Sequence, residues 1–137
     1  MFSLIAFGVD APILRIYPTG SNYICNPPVE DTDKDYLVLC ENLDDTICAI
    51  MRDGWQSCVS DNGEADFYTE EQEYGVKWTA YRKGVFNLML TMDSNWYHAS
   101  VIATEYCKAF NIQDKERRIR IFRFLKYKEP LQEGDIV

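Results

Sequence analysis

At 137 residues the chain is long enough for one domain with a proper core, and 47% hydrophobic content makes it globular, not disordered. A formal net charge of −8 argues against nucleic-acid binding by the surface as a whole, while leaving room for a local basic face. No apolar run approaches the roughly 20 residues needed to span a bilayer, and the apolar start, Met1 to Val9, lacks the basic leader of a signal peptide. The five cysteines (Cys25, Cys40, Cys48, Cys58, Cys107) are scattered, with no CxxC pair and only one histidine in the chain. Zinc is therefore not indicated, and a reducing cytoplasmic compartment is the simplest reading.

In chain order, Met1 to Asp10 is expected to be an edge strand or a docked arm. Ile13 to Tyr17 is β-like and ends at Pro18, before a Gly20-Ser21 turn. Asn22 to Asp31 reads as a loop, since Pro27-Pro28 forbids regular structure. Asp35 to Cys40 is a strand, apolar on both faces and therefore central. Asn42 caps a helix whose apolar residues Leu43, Ile47, Ile50 and Met51 recur at helical spacing, and Gly54 ends it. Trp55 to Ser60 is a candidate strand, Asp61-Asn62-Gly63 a turn, and Glu64 to Tyr74 is acidic and ambiguous. Val76 to Tyr81 and Val85 to Met92 form a hairpin around Arg82-Lys83-Gly84. Ser94 is expected to cap a largely buried helix to about Phe110, and Asp114 a last helix. The tail after Pro130 is expected to fray. This pattern predicts a single α+β domain, with a mixed sheet up to Met92 and two C-terminal helices.

The most informative stretch is Thr19 to Leu39. Gly20-Ser21 is followed twelve residues after Ser21 by Asp33 and Asp35, which lead into Tyr36-Leu37-Val38-Leu39. On a strand, residues i and i+2 face the same way, so the two carboxylates project together. Paired carboxylates suit Mg²⁺, which takes a few protein oxygens and fills its shell with phosphate and water. A Gly-Ser turn can offer backbone N–H and hydroxyl groups to a phosphate.

This arrangement, Gly20-Ser21 and then Thr32-Asp33-Lys34-Asp35-Tyr36-Leu37-Val38, resembles the signature of the nucleotidyltransferase-fold (DNA polymerase beta-like) superfamily. From about Ile13 to Tyr127 the chain is similar to small nucleotidyltransferase-like proteins of tailed phages, including Gly84 to Leu90 and Asp114 to Ile119. The resemblance implies a nucleotidyltransferase-like domain that transfers a nucleoside monophosphate from an NTP to an unknown acceptor. Mg²⁺ would sit on Asp33 and Asp35, the catalytic pair, and Gly20 and Ser21 would hold the triphosphate. A phage protein of this kind would work in the host cytoplasm. The family's third carboxylate is expected on the neighbouring strand, where this chain has Asn87-Leu88, and a second loop glycine is replaced by Cys25. Asn87 therefore stands as the third metal-facing position with a neutral carbonyl. These departures raise the alternative of a catalytically inactive effector that binds a host protein or nucleic acid.

Lys77, Arg82 and Lys83 flank the site strand, and Lys83 is the candidate triphosphate contact; the same residues also read as edge-strand charges. Seven of the fourteen basic residues fall between Lys115 and Lys128. Arg117, Arg118, Arg120 and Arg123 read either as a surface for phosphates, RNA or an acidic partner, or as a face paired with the chain's own acidic residues. His98 reads as structural, and as a general base only if the fold brings it near Asp35.

Overall fold

The computed structural model describes residues 2–4, 7–28, 33–58 and 74–136. The expected turn at Asp61–Gly63, most of the acidic stretch that follows it and Thr32 of the signature lie outside the described residues. Two short strands, β1 (Phe2–Ser3) and β2 (Pro12–Ile13), pair antiparallel and dock the N-terminal arm. The main sheet contains β3 (Arg15–Thr19), β4 (Lys34–Leu39), β5 (Gln56–Ser57), β6 (Trp78–Lys83) and β7 (Phe86–Thr91). Its order is β3-β4-β7-β6-β5. β4 and β7 run parallel, and every other neighbouring pair is antiparallel. The described helices are α1 (Gly20–Ile24), α2 (Leu43–Arg52), α3 (Ser94–Ala109) and α4 (Lys115–Tyr127). The chain is thus a mixed α+β fold.

The sheet is buried on both faces because its strands carry apolar residues at successive positions. One face, with Ile16, Tyr36, Val38, Leu88, Leu90 and Tyr81, packs on α2 and the N-terminal arm through Leu43, Ile50, Leu4 and Val9. The other, with Tyr17, Leu37, Leu39, Met89 and Trp78, packs on α3 through Trp96 and Tyr97. Behind it, α1, α3 and α4 close a second cluster around Ile24, Ala103, Cys107 and Ile121.

Several boundaries differ from the sequence reading for identifiable reasons. The first strand runs through Pro18 to Thr19; it is an edge strand of the main sheet, where a missing N–H costs no ladder bond. Gly20-Ser21 is not a free turn but the opening of α1, which takes Asn22 to Ile24 out of the expected loop. The hairpin closes through Gly84-Val85, one register step later than expected, with Lys83 still paired to Phe86 and Gly84 at φ +60°. Asn42 and Asp114 cap α2 and α4 as expected, accepting from Asp45 N–H and Glu116 N–H. Asp93, not Ser94, caps α3, accepting from Trp96 N–H at 2.9 Å. The buried stripe of α3 is Trp96, Tyr97, Ser100, Ala103, Thr104 and Cys107, while Ile102 is 59% exposed. Hydroxyls of Ser100 and Thr104 donate to the carbonyls of Trp96 and Ser100, so these small polar residues enter the core satisfied.

The expected frayed tail is instead docked. Asp135 is buried, and its carboxylate accepts from Arg120 at 2.9 and 3.0 Å and from Gln132 N–H at 2.8 Å. The local charge run could not show this, because the anchoring acid lies fifteen residues beyond Arg120.

A polar knot ties β3, α1 and α3 together. The hydroxyls of Tyr17 and Tyr23 both donate to Glu105 Oε1, and Lys108 Nζ lies over the Tyr23 ring at 3.8 Å. The Tyr17 hydrogen bond, then that of Tyr23 and the nearby Lys108 charge, hold the Glu105 carboxyl below its usual range, against a cost from burial. A depressed acid stabilises the fold above its unfolded value and loses that contribution as pH falls through the folded one. Thermal melts of Glu105→Gln should therefore fall below wild type near neutrality and converge with it as the pH drops below about 4. A constant gap down to the acid limit would remove this ionic contribution.

Candidate carboxylate site

The strand register generates the site. Thr19, Asp35, Asn87, Arg82 and Gln56 are successive cross-strand partners, so they form one polar row across the start of β4 and β7. Residues opposite one another share a face; this is the α3 face, two residues before Leu37 and Met89 enter the core. Asp33 lies just ahead of β4 and turns back onto the row.

Within the row, Asn87 Nδ2 donates to Asp35 Oδ1 at 2.9 Å and to Asp33 Oδ2 at 3.2 Å. Arg82 forms an ion pair with Asp33 Oδ2. Cys58 Sγ lies 3.9 Å from Asn87 Oδ1, on the far side of the amide. Asp35 is half-buried, and that burial raises its carboxyl above the usual range. The Asn87 hydrogen bond opposes the rise, repulsion from Asp33 adds to it, and the charges of Arg82 and Lys115 counter it. The Cys58 thiol is also raised, chiefly by burial.

Gly20 fits against Asp35 with no room to spare. Its φ is +77°, and a Cβ there would lie 2.1 Å from Asp35 Oδ2. Thr19 precedes it with its hydroxyl 2.7 Å from that of Thr104, which pins the start of α1 to α3. The close approach of the glycine and the acid thus has a backbone cause: β3 delivers its last residue opposite Asp35, and α1 begins at once.

The fold brings together Gly20, Asp33, Asp35 and Asn87, and carries Ser21 alongside in the first turn of α1. It separates others. Lys83 turns to the opposite face and binds the carbonyl and carboxylate of Asp53 at 2.8 and 3.1 Å, so it is not the basic residue of this row. Arg82, one position earlier, takes that place. Lys77 lies at the far end of β6, where its carbonyl accepts from Thr91. His98 sits beyond the far end of β7 with Nδ1 2.7 Å from Ser94 O, away from Asp35, and Asp93 caps α3 at that same end.

The four arginines of α4 are engaged within the chain. Arg117 donates to Asp135 O and Arg120 to the Asp135 carboxylate, and Arg123 forms an ion pair with Glu129 at 2.7 Å. Arg118 is buried and donates to Ile112 O, Gln113 O and Cys25 Sγ. Their partners lie within the chain, in the C-terminal segment and at Ile112 and Gln113. They hold the helix, the tail and the Cys25 loop together.

Among the described residues no group of three or more His, Cys, Asp or Glu side chains converges as a metal cage. What converges is two carboxylates, one amide and one guanidinium. Gly20 lies so close to the Asp35 carboxylate that any larger residue there would collide with it. This set fits a single hard cation that draws its remaining ligands from phosphate and water; it lacks the third negative charge that a two-ion site would use. None of the described helices is long and apolar enough to cross a membrane. Comparison of the chain with family models, with characterised proteins and with solved structures returned no match.

Proposed function

We propose that the chain is a nucleotidyltransferase-like domain. Its polar row binds an NTP with one Mg²⁺ ion; an acceptor hydroxyl attacks the α-phosphorus, the bond from that phosphorus to the β-phosphate breaks, and pyrophosphate and the hydroxyl proton leave. The observation that carries this reading is the register line that sets Asp35 beside Asn87 and Arg82 with Gly20 closed against the acid. Asp33 and Asp35 would hold the metal, which when bound supplies charge neutralisation for the triphosphate and a lowered pKa for the attacking hydroxyl. Gly20 and Ser21 offer the first backbone N–H groups of α1, which have no intrahelical partner, together with the Ser21 hydroxyl, as phosphate donors. Arg82 adds a positive charge on the same face.

A second reading is favoured by one observation: the Asn87 amide lies on both acids where a third carboxylate would add charge. A site of that charge suits binding without transfer, and the chain would then act as an effector on a host protein or nucleic acid.

Thermal-shift titration with the four NTPs, with and without Mg²⁺, tests the shared part of both readings. Nucleotide at a hundred times its dissociation constant should stabilise the fold by about 2.7 kcal/mol, and Asp33→Ala/Asp35→Ala should abolish the shift. Transfer of label from α-labelled NTP then separates the readings. Transfer lost in Asp35→Asn establishes the enzyme, and binding with no transfer to any acceptor leaves the effector.

A further inference from the structure

Two carboxylates side by side need positive charge, from the chain or from an ion. Here the chain supplies it. Asp33 Oδ2 accepts from both Arg82 and Asn87, Asp35 Oδ1 accepts from Asn87, and Asp35 Oδ2 faces Gly20. Asp33 Oδ2 already accepts two N–H donors, so an ion that bridges the two acids through this oxygen competes with them for it. Asn87 is held in the row by two acids. Arg82 is the more exposed donor: its side chain is 51% exposed, and among the described residues its side-chain hydrogen bond is to Asp33, which is itself 35% exposed. A guanidinium turned outward is solvated by water, so its departure strands no buried charge. β6 stays in place meanwhile, because its pairing with β7 runs from Trp78 to Lys83.

We infer that Arg82 is the resident counter-ion of the carboxylate pair, and that a divalent cation bridging Asp33 and Asp35 competes with its guanidinium for Asp33. The inference rests on the proposed reading of the row as a cation–nucleotide site and adds a built-in competitor to it. Arg82 then sets a threshold. The row stays neutralised at low cation concentration and exchanges its counter-ion when the cation arrives.

The test is Mn²⁺ binding in the absence of nucleotide, followed as loss of the free-ion electron paramagnetic resonance signal. Mn²⁺ stands in for Mg²⁺ because it favours the same oxygen ligands. The proteins are wild type, Arg82→Met, Arg82→Lys and Asp33→Asn/Asp35→Asn, each checked for folding by far-UV circular dichroism. Arg82→Met should bind Mn²⁺ about ten-fold more tightly than wild type, since both the ion pair and the repulsion between guanidinium and cation are removed. Arg82→Lys, which keeps the charge on a flexible stem, should fall between them. A wild type that binds through Asp33 and Asp35, with a folded Arg82→Met of equal or weaker affinity, overturns the counter-ion role and leaves the site standing. If neither wild type nor Arg82→Met binds Mn²⁺, the site reading falls and the inference with it.

Discussion

Gly20→Ala is expected to destabilise the fold by about 3 kcal/mol, combining left-handed backbone strain of about 1 kcal/mol with overpacking of about 2 kcal/mol. The new methyl would lie 2.1 Å from Asp35 Oδ2, 2.9 Å from its Cγ and 3.0 Å from its Cβ. Moving the carboxylate tip alone cannot relieve a contact that reaches the root of the side chain, and Asp35 is further fixed by Asn87. A double-mutant cycle isolates the contact. In an Asp35→Ala background the carboxylate is gone and only the 3.0 Å contact with Cβ remains, so Gly20→Ala should cost little more than the backbone share, about 1 kcal/mol. Denaturant unfolding of the four proteins measures both numbers. Equal costs in the two backgrounds would mean that the glycine serves the turn and not the acid. Gly20→Ala should also lose any nucleotide-dependent thermal shift, because the Asp35 carboxylate can no longer keep its place.

Asp135→Ala is expected to free the C-terminal segment and lower the melting temperature by several degrees. The substitution leaves Arg120 without its two carboxylate contacts, and Gln132 N–H without its acceptor. It also unseats Leu131, which packs on the cluster of Ile24, Cys107 and Ile121. Loss of that packing is worth about 1 kcal/mol, or roughly 5 °C in a domain of this size. Truncation after Pro130 should match Asp135→Ala, and Asp135→Asn should be milder because it still accepts hydrogen bonds. Limited proteolysis gives the direct readout: wild type should resist cleavage after Arg123 and Lys128, and the variant should be cut there. A protease pattern and melting temperature unchanged in Asp135→Ala would show that the tail is held by its apolar contacts alone.

The parts of the fold legible in the sequence were those fixed by local chemistry. Asn42 and Asp114 cap helices because their side chains reach N–H groups two or three residues on. The apolar run after Asp35 is a central strand because both its faces meet a layer. That Asn87 would stand near Asp35 was an expectation from the family resemblance, and the strand register makes the two direct cross-strand partners. What could not be read depended on alternation or on distant partners. Arg82 and Lys83 are adjacent, and on a strand adjacent residues take opposite faces, so only the register tells which of them joins the row. A two-residue turn at Gly84-Val85, had it been recognised, would have selected Arg82. The arginines of α4 could be read either way because their acceptors lie outside the helix: Asp135 for Arg117 and Arg120, Glu129 for Arg123, and the carbonyls of Ile112 and Gln113 for Arg118. The buried stripe of α3 was obscured because Ser100 and Thr104 take core positions by bonding to their own helix.

The parallel pairing of β4 with β7 has a kinetic consequence. β6 and β7 meet across a two-residue turn, whereas Asp35 and Asn87 are fifty-two positions apart and have α2 and β5 between them. Local contacts close at small entropic cost, and distant ones must wait for the intervening chain to be arranged. Arg82 and Asn87 therefore become neighbours early, as a hairpin without acids. Asp33 and Asp35 join them only when β4 docks. The polar row is thus expected to be completed only with the long-range closure of β4 on β7, so that an intact carboxylate cluster would mark the assembled sheet.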